Sequence, residues 1–135
     1  MNNILIVEDE DFLIMALKDN LVAEGYTVDI ARNGDEALKK IQKKKPSLVL
    51  LDILMPQKDG FYVLEEIKKN PERQLIPVIV LSNLGEDKVI KRALDMGADD
   101  YLVKSQHSIQ EVIKRVKDYL EGVKTIKGHP QQPAQ

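Results

Sequence analysis

Three carboxylates, a hydroxyl and an ammonium each follow a short apolar run in this chain. Glu8 and Asp9 follow Ile4–Val7, Asp52 follows Leu48–Leu51, Ser82 follows Val78–Leu81 and Lys104 follows Tyr101–Val103. Singly, each has an ordinary structural explanation. The acidic run Glu8–Asp11 can complement the start of a helix dipole, and Asp52 can open the turn-rich segment 53–60. Ser82 can act as a loop hydroxyl, and Lys104 is by default a solvated lysine. Their shared position at strand ends is what suggests chemistry. Three carboxylates a few ångströms apart repel, which pushes one pKa upward unless a cation intervenes. Oxygen-only ligands with open positions suit Mg2+, which keeps several waters and accepts phosphate oxygens. Mg2+ and a lysine around one free carboxylate are equipment for phosphoryl transfer, with that carboxylate as nucleophile.

The elements that must position these groups follow from apolar periodicity. Ile4–Val7, Leu48–Leu51 and Val78–Leu81 are unbroken apolar runs, the pattern of strands covered on both faces. Thr27–Ala31 alternates around Asp29, and Tyr101–Val103 is brief, so both suit sheet edges. Between the strands lie helical stripes: Leu13, Leu17 and Leu21 before Gly25; Ala37, Leu38 and Ile41 after a capping box at Asn33 and Glu36; Phe61, Leu64 and Ile67 before Pro71. Val89, Ile90, Ala93 and Leu94 form the fourth stripe, ending at Gly97. Ser108 and Glu111 form a second capping box, ahead of Ile109, Val112, Ile113, Val116 and Leu120. Five βα repeats predict an α/β fold, a doubly wound five-stranded parallel sheet with helices on both faces and the flavodoxin-like order 2-1-3-4-5. That order reverses between the first and third strands, where Glu8, Asp9 and Asp52 fall.

Composition narrows the function classes. The 135 residues allow one domain, and 43% hydrophobic with 31% charged residues is an ordinary globular balance. No cysteine is present, which excludes disulfides and thiolate chemistry, and His107 and His129 lack metal-ligand spacing. Twenty basic against 22 acidic residues leave a net charge of −2 and no electrostatic reason to bind nucleic acid. Lys43–Lys44–Lys45 reads as a solvated run at a helix end. No apolar run approaches the roughly 20 residues of a membrane span, and the N-terminus is not a signal peptide. These features predict a cytoplasmic domain over residues 1–121, followed by a flexible Gly/Pro/Gln-rich tail over 122–135.

The segments ILIVEDE, LVLLDILMPQKDG, VIVLSN and GADDYLVK, in that order, resemble the receiver domain of bacterial two-component response regulators, in particular the single-domain, CheY-like kind, from Asn3 to about Leu120. The resemblance implies that Asp52 is a phosphoacceptor and Asp9 a direct Mg2+ ligand. It also implies that Glu8 holds metal-bound water, that the Leu54 carbonyl completes the protein ligands, and that Ser82 and Lys104 contact the phosphoryl group. Tyr101 becomes the switch aromatic that turns inward with Ser82. The implied partners are a sensor histidine kinase or histidine phosphotransfer protein as donor, and a protein target reached through the fourth helix, fifth strand and fifth helix. The protein is then a monomer or a phosphorylation-dependent dimer. It is a switch that catalyses only its own phosphorylation and dephosphorylation. With only the short tail left over, its output is expected to be a protein–protein contact.

Two positions refine the resemblance. The family usually has proline after the lysine, often with a cis peptide, whereas Ser105 follows Lys104 here. A cis bond before a non-proline residue costs about 2.5–4 kcal/mol, so either that strain is retained or the loop is reshaped. Leu54 and Leu84 stand where family members flank the path of the hydrolytic water; leucines offer it no hydrogen bond, which predicts a long-lived phosphoaspartate. Two rivals are a phosphorylation-independent receiver-like interaction module and a haloacid-dehalogenase-type phosphotransferase. The latter family has a second Asp where this chain has Leu54.

Overall fold

A computed structural model describes residues 2–55 and 59–122. The chain alternates as β1 (Asn3–Val7), α1 (Asp11–Ala23), β2 (Thr27–Ala31), α2 (Gly34–Lys43), β3 (Leu48–Leu51), α3 (Gly60–Lys68), β4 (Val78–Ser82), α4 (Asp87–Asp95), β5 (Asp100–Val103), a 3-10 turn (Lys104–Gln106) and α5 (Ile109–Leu120). All strand pairings are parallel, in the order β2-β1-β3-β4-β5. The expected order is therefore the observed one. Strand limits move by a residue: β4 includes Ser82 and β5 starts at Asp100.

The unbroken apolar runs have the predicted cause. Successive side chains point to opposite faces of a strand, so a strand covered on both faces needs apolar residues at every position. Leu5, Val7, Val49, Leu51, Val78 and Val80 pack with Ala37 and Ile41 of α2, Leu64 and Ile67 of α3 and Ala93 of α4. Ile4, Ile6, Leu48, Leu50, Ile79 and Leu81 pack on the other face with Leu17 and Leu21 of α1 and Val112, Ile113 and Val116 of α5.

Caps and stops are local and mostly as read. Gly25, at φ +97°, terminates α1 in the left-handed region. Ser108 and Glu111 make the full reciprocal capping box of α5. At α2 only half of the expected box forms: Asn33 accepts from the Glu36 N–H at 2.9 Å, while the Glu36 carboxylate reaches past it to the Arg32 N–H at 2.7 Å. The fourth stripe is the weakest expectation. Only Ala93 of α4 is buried and Leu94 is 44% exposed. Arg92 lays its guanidinium 3.8 Å over the Phe61 ring, so a cation–π contact supplements the thin apolar seam to α3. Of the expected tail only Gly122 is described; the rest, 123–135, lies outside the described residues. Among the described residues no helix is long and apolar enough to cross a membrane.

Gly60 ties the fold to the strand-end loop. Its N–H donates to the Ile53 carbonyl at 3.0 Å, and a Cβ there would lie 2.4 Å from the Asp52 carbonyl oxygen and 2.6 Å from the Ile53 Cα. Both obstacles are backbone, so they cannot swing aside. Gly60→Ala is expected to lower stability by about 1–3 kcal/mol, the usual range for overpacking. The readout is a lower urea midpoint at unchanged slope; an unaltered midpoint would show that the loop yields freely.

Candidate functional site

Because every strand runs the same way, every strand end reaches the same edge of the sheet. β1 and β3 are adjacent, with Val7 opposite Leu51, which brings Glu8 and Asp9 beside Asp52. β4 and β5 follow on, with Ser82 opposite Val103, which brings the hydroxyl and Lys104 to the same edge. All five expected side chains thus share one edge.

Glu8 and Asp52 are buried, at 2% and 4% exposure, and Asp9 is exposed. The Lys104 ammonium lies 3.0 Å from Glu8 Oε1, 3.2 Å from Asp52 Oδ2 and 3.7 Å from Glu10 Oε1. The other oxygen of each buried carboxylate takes a backbone donor: Asp52 Oδ1 accepts from the Leu54 N–H at 3.1 Å, and Glu8 Oε2 from the Glu10 N–H at 3.1 Å. Each carboxylate is therefore held between one ammonium and one amide.

That support does not cancel the cost of burial. Burial pushes the Asp52 carboxyl above its ordinary range, and Asp9 adds to the rise against the pull of Lys104 and the Leu54 N–H. Burial and the Asp52 charge push Glu8 up in the same way, opposed by Lys104. Burial alone would lower the Lys104 pKa, but its contacts with Glu8 and Asp52 outweigh it and raise the value. Oxygen atoms of Glu8, Asp9 and Asp52 lie within 4.8 Å of one another. An all-oxygen donor set of three carboxylates crowded this closely fits a hard divalent cation.

Ser82 is fully buried, and its Oγ accepts from the Leu84 N–H at 3.2 Å. Tyr101 lies half-buried against the core and donates its hydroxyl to the Leu84 carbonyl at 2.5 Å. Its pKa is raised by burial, with a hydrogen bond to Ser82 acting the other way. Both side chains therefore meet on the two backbone groups of Leu84. Leu54 itself is 55% exposed.

Of the two alternatives for the peptide after Lys104, the retained cis bond is not the one found. No peptide bond among the described residues is cis, and the chain passes from Lys104 through a 3-10 turn. Two residues here were not singled out by their sequence context. Glu10 read as a helix-start acid, yet its carboxylate approaches Lys104. His107 stands out in the sequence only for lacking metal-ligand spacing, yet its ring Nδ1 lies 3.1 Å from the Val103 carbonyl oxygen. The spacing of Glu10 from Glu8 was visible, but which side of the loop it faces depends on the turn into α1.

A five-stranded doubly wound sheet with an acid cluster and a lysine at its switch point defines a receiver-type signalling module. The family model for the response regulator receiver domain matches residues 4–117, and the chain belongs to that family. The phosphate regulon transcriptional regulatory protein PhoB of Rhizobium meliloti is 40% identical over 121 residues, covering 90% of this chain and 53% of that protein. The chain spans about half the length of the curated relatives it matches. Among solved structures, the signal receiver domain of a signal transduction histidine kinase from Syntrophus aciditrophicus is 35% identical with a TM-score of 0.82, covering 96% of this chain and 97% of that one. The Mn(2+)-bound form of the response regulator Rcp1 is 28% identical with a TM-score of 0.81, covering 92% and 98%. Receiver domains bind Mg2+ at an acidic pocket, and the Glu8, Asp9 and Asp52 cluster corresponds in kind to such a pocket.

The raised carboxyls have a signed consequence for stability. In metal-free buffer, folded Glu8 and Asp52 bind protons more tightly than the unfolded chain does, from their ordinary values of 4.5 and 3.8 up to their raised ones. Over that window the folded state holds the extra protons, so stability falls as pH rises. Asp52→Asn removes one contributor. Its urea midpoint in EDTA is expected above that of the wild type at neutral pH, the gap closing below the ordinary Asp value of 3.8. Saturating Mg2+ should reverse the order by favouring the intact acid set. A variant less stable than the wild type at neutral pH in EDTA would contradict this account.

Proposed function

We propose that this receiver is a phosphorylation-controlled switch in which Asp52 accepts a phosphoryl group from a sensor histidine kinase or a histidine phosphotransfer protein. The observation carrying this reading is the Lys104 ammonium, 3.0 Å from Glu8 and 3.2 Å from Asp52 at one sheet edge. In the transfer, an Asp52 oxygen forms a bond to phosphorus as the P–N bond of the donor phosphohistidine breaks, and the leaving imidazole takes a proton. Asp9, Asp52, the Leu54 carbonyl and, through water, Glu8 are the proposed holders of Mg2+, which when bound neutralises charge on the phosphoryl oxygens. The Mn(2+)-bound form of Rcp1 supports a divalent cation in this fold.

Lys104 pairs with the incoming phosphoryl group and relinquishes Glu8. The Ser82 hydroxyl donates to a phosphoryl oxygen, which draws it off the Leu84 N–H. Tyr101 follows, because its own hydrogen bond is to the carbonyl of that residue. Converting a population from 1:99 to 99:1 takes about 5.5 kcal/mol of differential interaction. Two or three charge-assisted hydrogen bonds, at about 1.5–3 kcal/mol each, supply it.

The proposed receiver occupies residues 1–121 and signals to a protein target through α4, β5 and α5, as a monomer or a phosphorylation-dependent dimer. It acts as a switch and not on a separate metabolite; Leu54, where a haloacid dehalogenase has its second Asp, supports this. A net charge of −2 supports an output by the receiver itself that does not involve nucleic acid. The kinase donor and Mg2+ set its proposed location as the cytoplasm.

Incubation with Mg2+ and acetyl phosphate, read by intact mass, is expected to add one phosphoryl group to the wild type and none to a folded Asp52→Asn variant. Ordinary labelling of that variant would overturn the assignment. After removal of the donor, the label should outlast the seconds scale, since Leu54 and Leu84 offer a hydrolytic water no hydrogen bond. Decay within seconds at saturating Mg2+ would refute that role.

A further inference from the structure

We propose that His107 is a positioning residue for Lys104, holding the peptide that carries the lysine where family members usually use a proline. The inference rests on the phosphoryl-contacting role given to Lys104 above. Lys104 opens the 3-10 turn Lys104–Gln106, whose peptide bonds are trans and whose residues Ser105 and Gln106 are exposed. Nothing intrinsic to a serine fixes this turn as a pyrrolidine ring does. The His107 ring does so from outside.

Its Nδ1 lies 3.1 Å from the Val103 carbonyl oxygen. A carbonyl can only accept, so Nδ1 carries the proton. That carbonyl belongs to the peptide unit whose nitrogen is that of Lys104. The contact therefore fixes the plane from which the Lys104 side chain departs. The lysine ammonium sits about 6 Å from its own Cα by bond lengths alone. A modest tilt of that plane thus moves Nζ by about 1 Å, a displacement able to cost up to about 10²-fold in a positioned reaction.

The ring is hung from a firm base. His107 leads directly into Ser108, whose N–H donates to the Glu111 carboxylate at 2.7 Å while its Oγ accepts from the Glu111 N–H at 3.1 Å. The helix beyond that cap is fastened to the start of β5 and the residue before it: Arg115 pairs with Asp100, and Tyr119 donates to the Asp99 carbonyl at 2.9 Å. The turn bearing Lys104 is thus bridged between β5 and the capped start of α5. Its two ends cannot drift apart while the imidazole contact stands.

The test compares substitutions that differ in where they put an N–H. His107→Leu removes the donor. His107→Asn offers one near the Nδ1 position, and His107→Gln offers one nearer the Nε2 position. Labelling by acetyl phosphate in Mg2+ is expected to slow about three- to tenfold in His107→Leu, the size of one net hydrogen bond. It should recover in His107→Asn but not in His107→Gln. Mg2+ affinity, measured by calorimetry, should not weaken in any of the three. In a Lys104→Met background, His107→Leu should add no further loss. Wild-type labelling by His107→Leu would overturn the inference. So would equal labelling by the Asn and Gln variants, or a full additional loss in the Lys104→Met background. Wild-type labelling by Lys104→Met alone would instead defeat the role assigned to that lysine, and this inference with it.

Discussion

Two buried carboxylates sharing one ammonium is the interaction on which the rest of this molecule depends. Isolated, either Glu8 or Asp52 would neutralise itself inside the sheet edge, because a buried unpaired charge costs far more than a proton. Lys104 at 3.0 and 3.2 Å, with the amides of Leu54 and Glu10 on the remaining oxygens, opposes that penalty for both acids. The arrangement still leaves one negative charge in excess, before Asp9 is counted. That excess makes the edge receptive to a hard cation. No α-helix contributes a member of this set; strand ends, with the loops and the 3-10 turn beyond them, supply it all.

The scaffold is rigid where the strands pack and softer at α4. The β-strands beneath the site are buried along their length apart from the edges, and the opposite end of the sheet is tied down. There the Lys68 ammonium donates to the Gln74 and Ile76 carbonyls at 3.0 and 2.8 Å, and Tyr26 donates to Glu121 at 2.6 Å. α4, by contrast, buries only Ala93 and exposes Leu94. A helix held by so little apolar contact, next to a Ser82–Leu84–Tyr101 chain of hydrogen bonds, is the element best able to shift at small cost.

The fold was legible because strand burial leaves a strong mark. A parallel strand covered on both faces admits polar residues chiefly at its ends, so Ile4–Val7, Leu48–Leu51 and Val78–Leu81 stood out as unbroken runs. Asp29 within Thr27–Ala31 marked an edge for the converse reason. The site followed from the same register, since the residue at or just past each strand end must reach the shared edge. What could not be read depended on loop direction. The Glu36 carboxylate passes Asn33 for the Arg32 N–H, Glu10 turns toward Lys104, and His107 reaches back to Val103. Each is set by a turn whose course is decided by tertiary packing and not by periodicity. The α4 stripe marked the helix but not its depth of burial, because an apolar stripe records what a helix is able to bury, and Arg92 over Phe61 takes part of that seam.

The account turns on whether Lys104 changes partners. A crystal structure with Mg2+ and beryllofluoride, a phosphoaspartate mimic, measures this directly. The account predicts beryllofluoride on Asp52, the Lys104 ammonium within hydrogen-bond distance of a fluorine, and its contact with Glu8 opened. Beryllofluoride bound at Asp52 with Lys104 still closed on Glu8, or bound elsewhere, would contradict it.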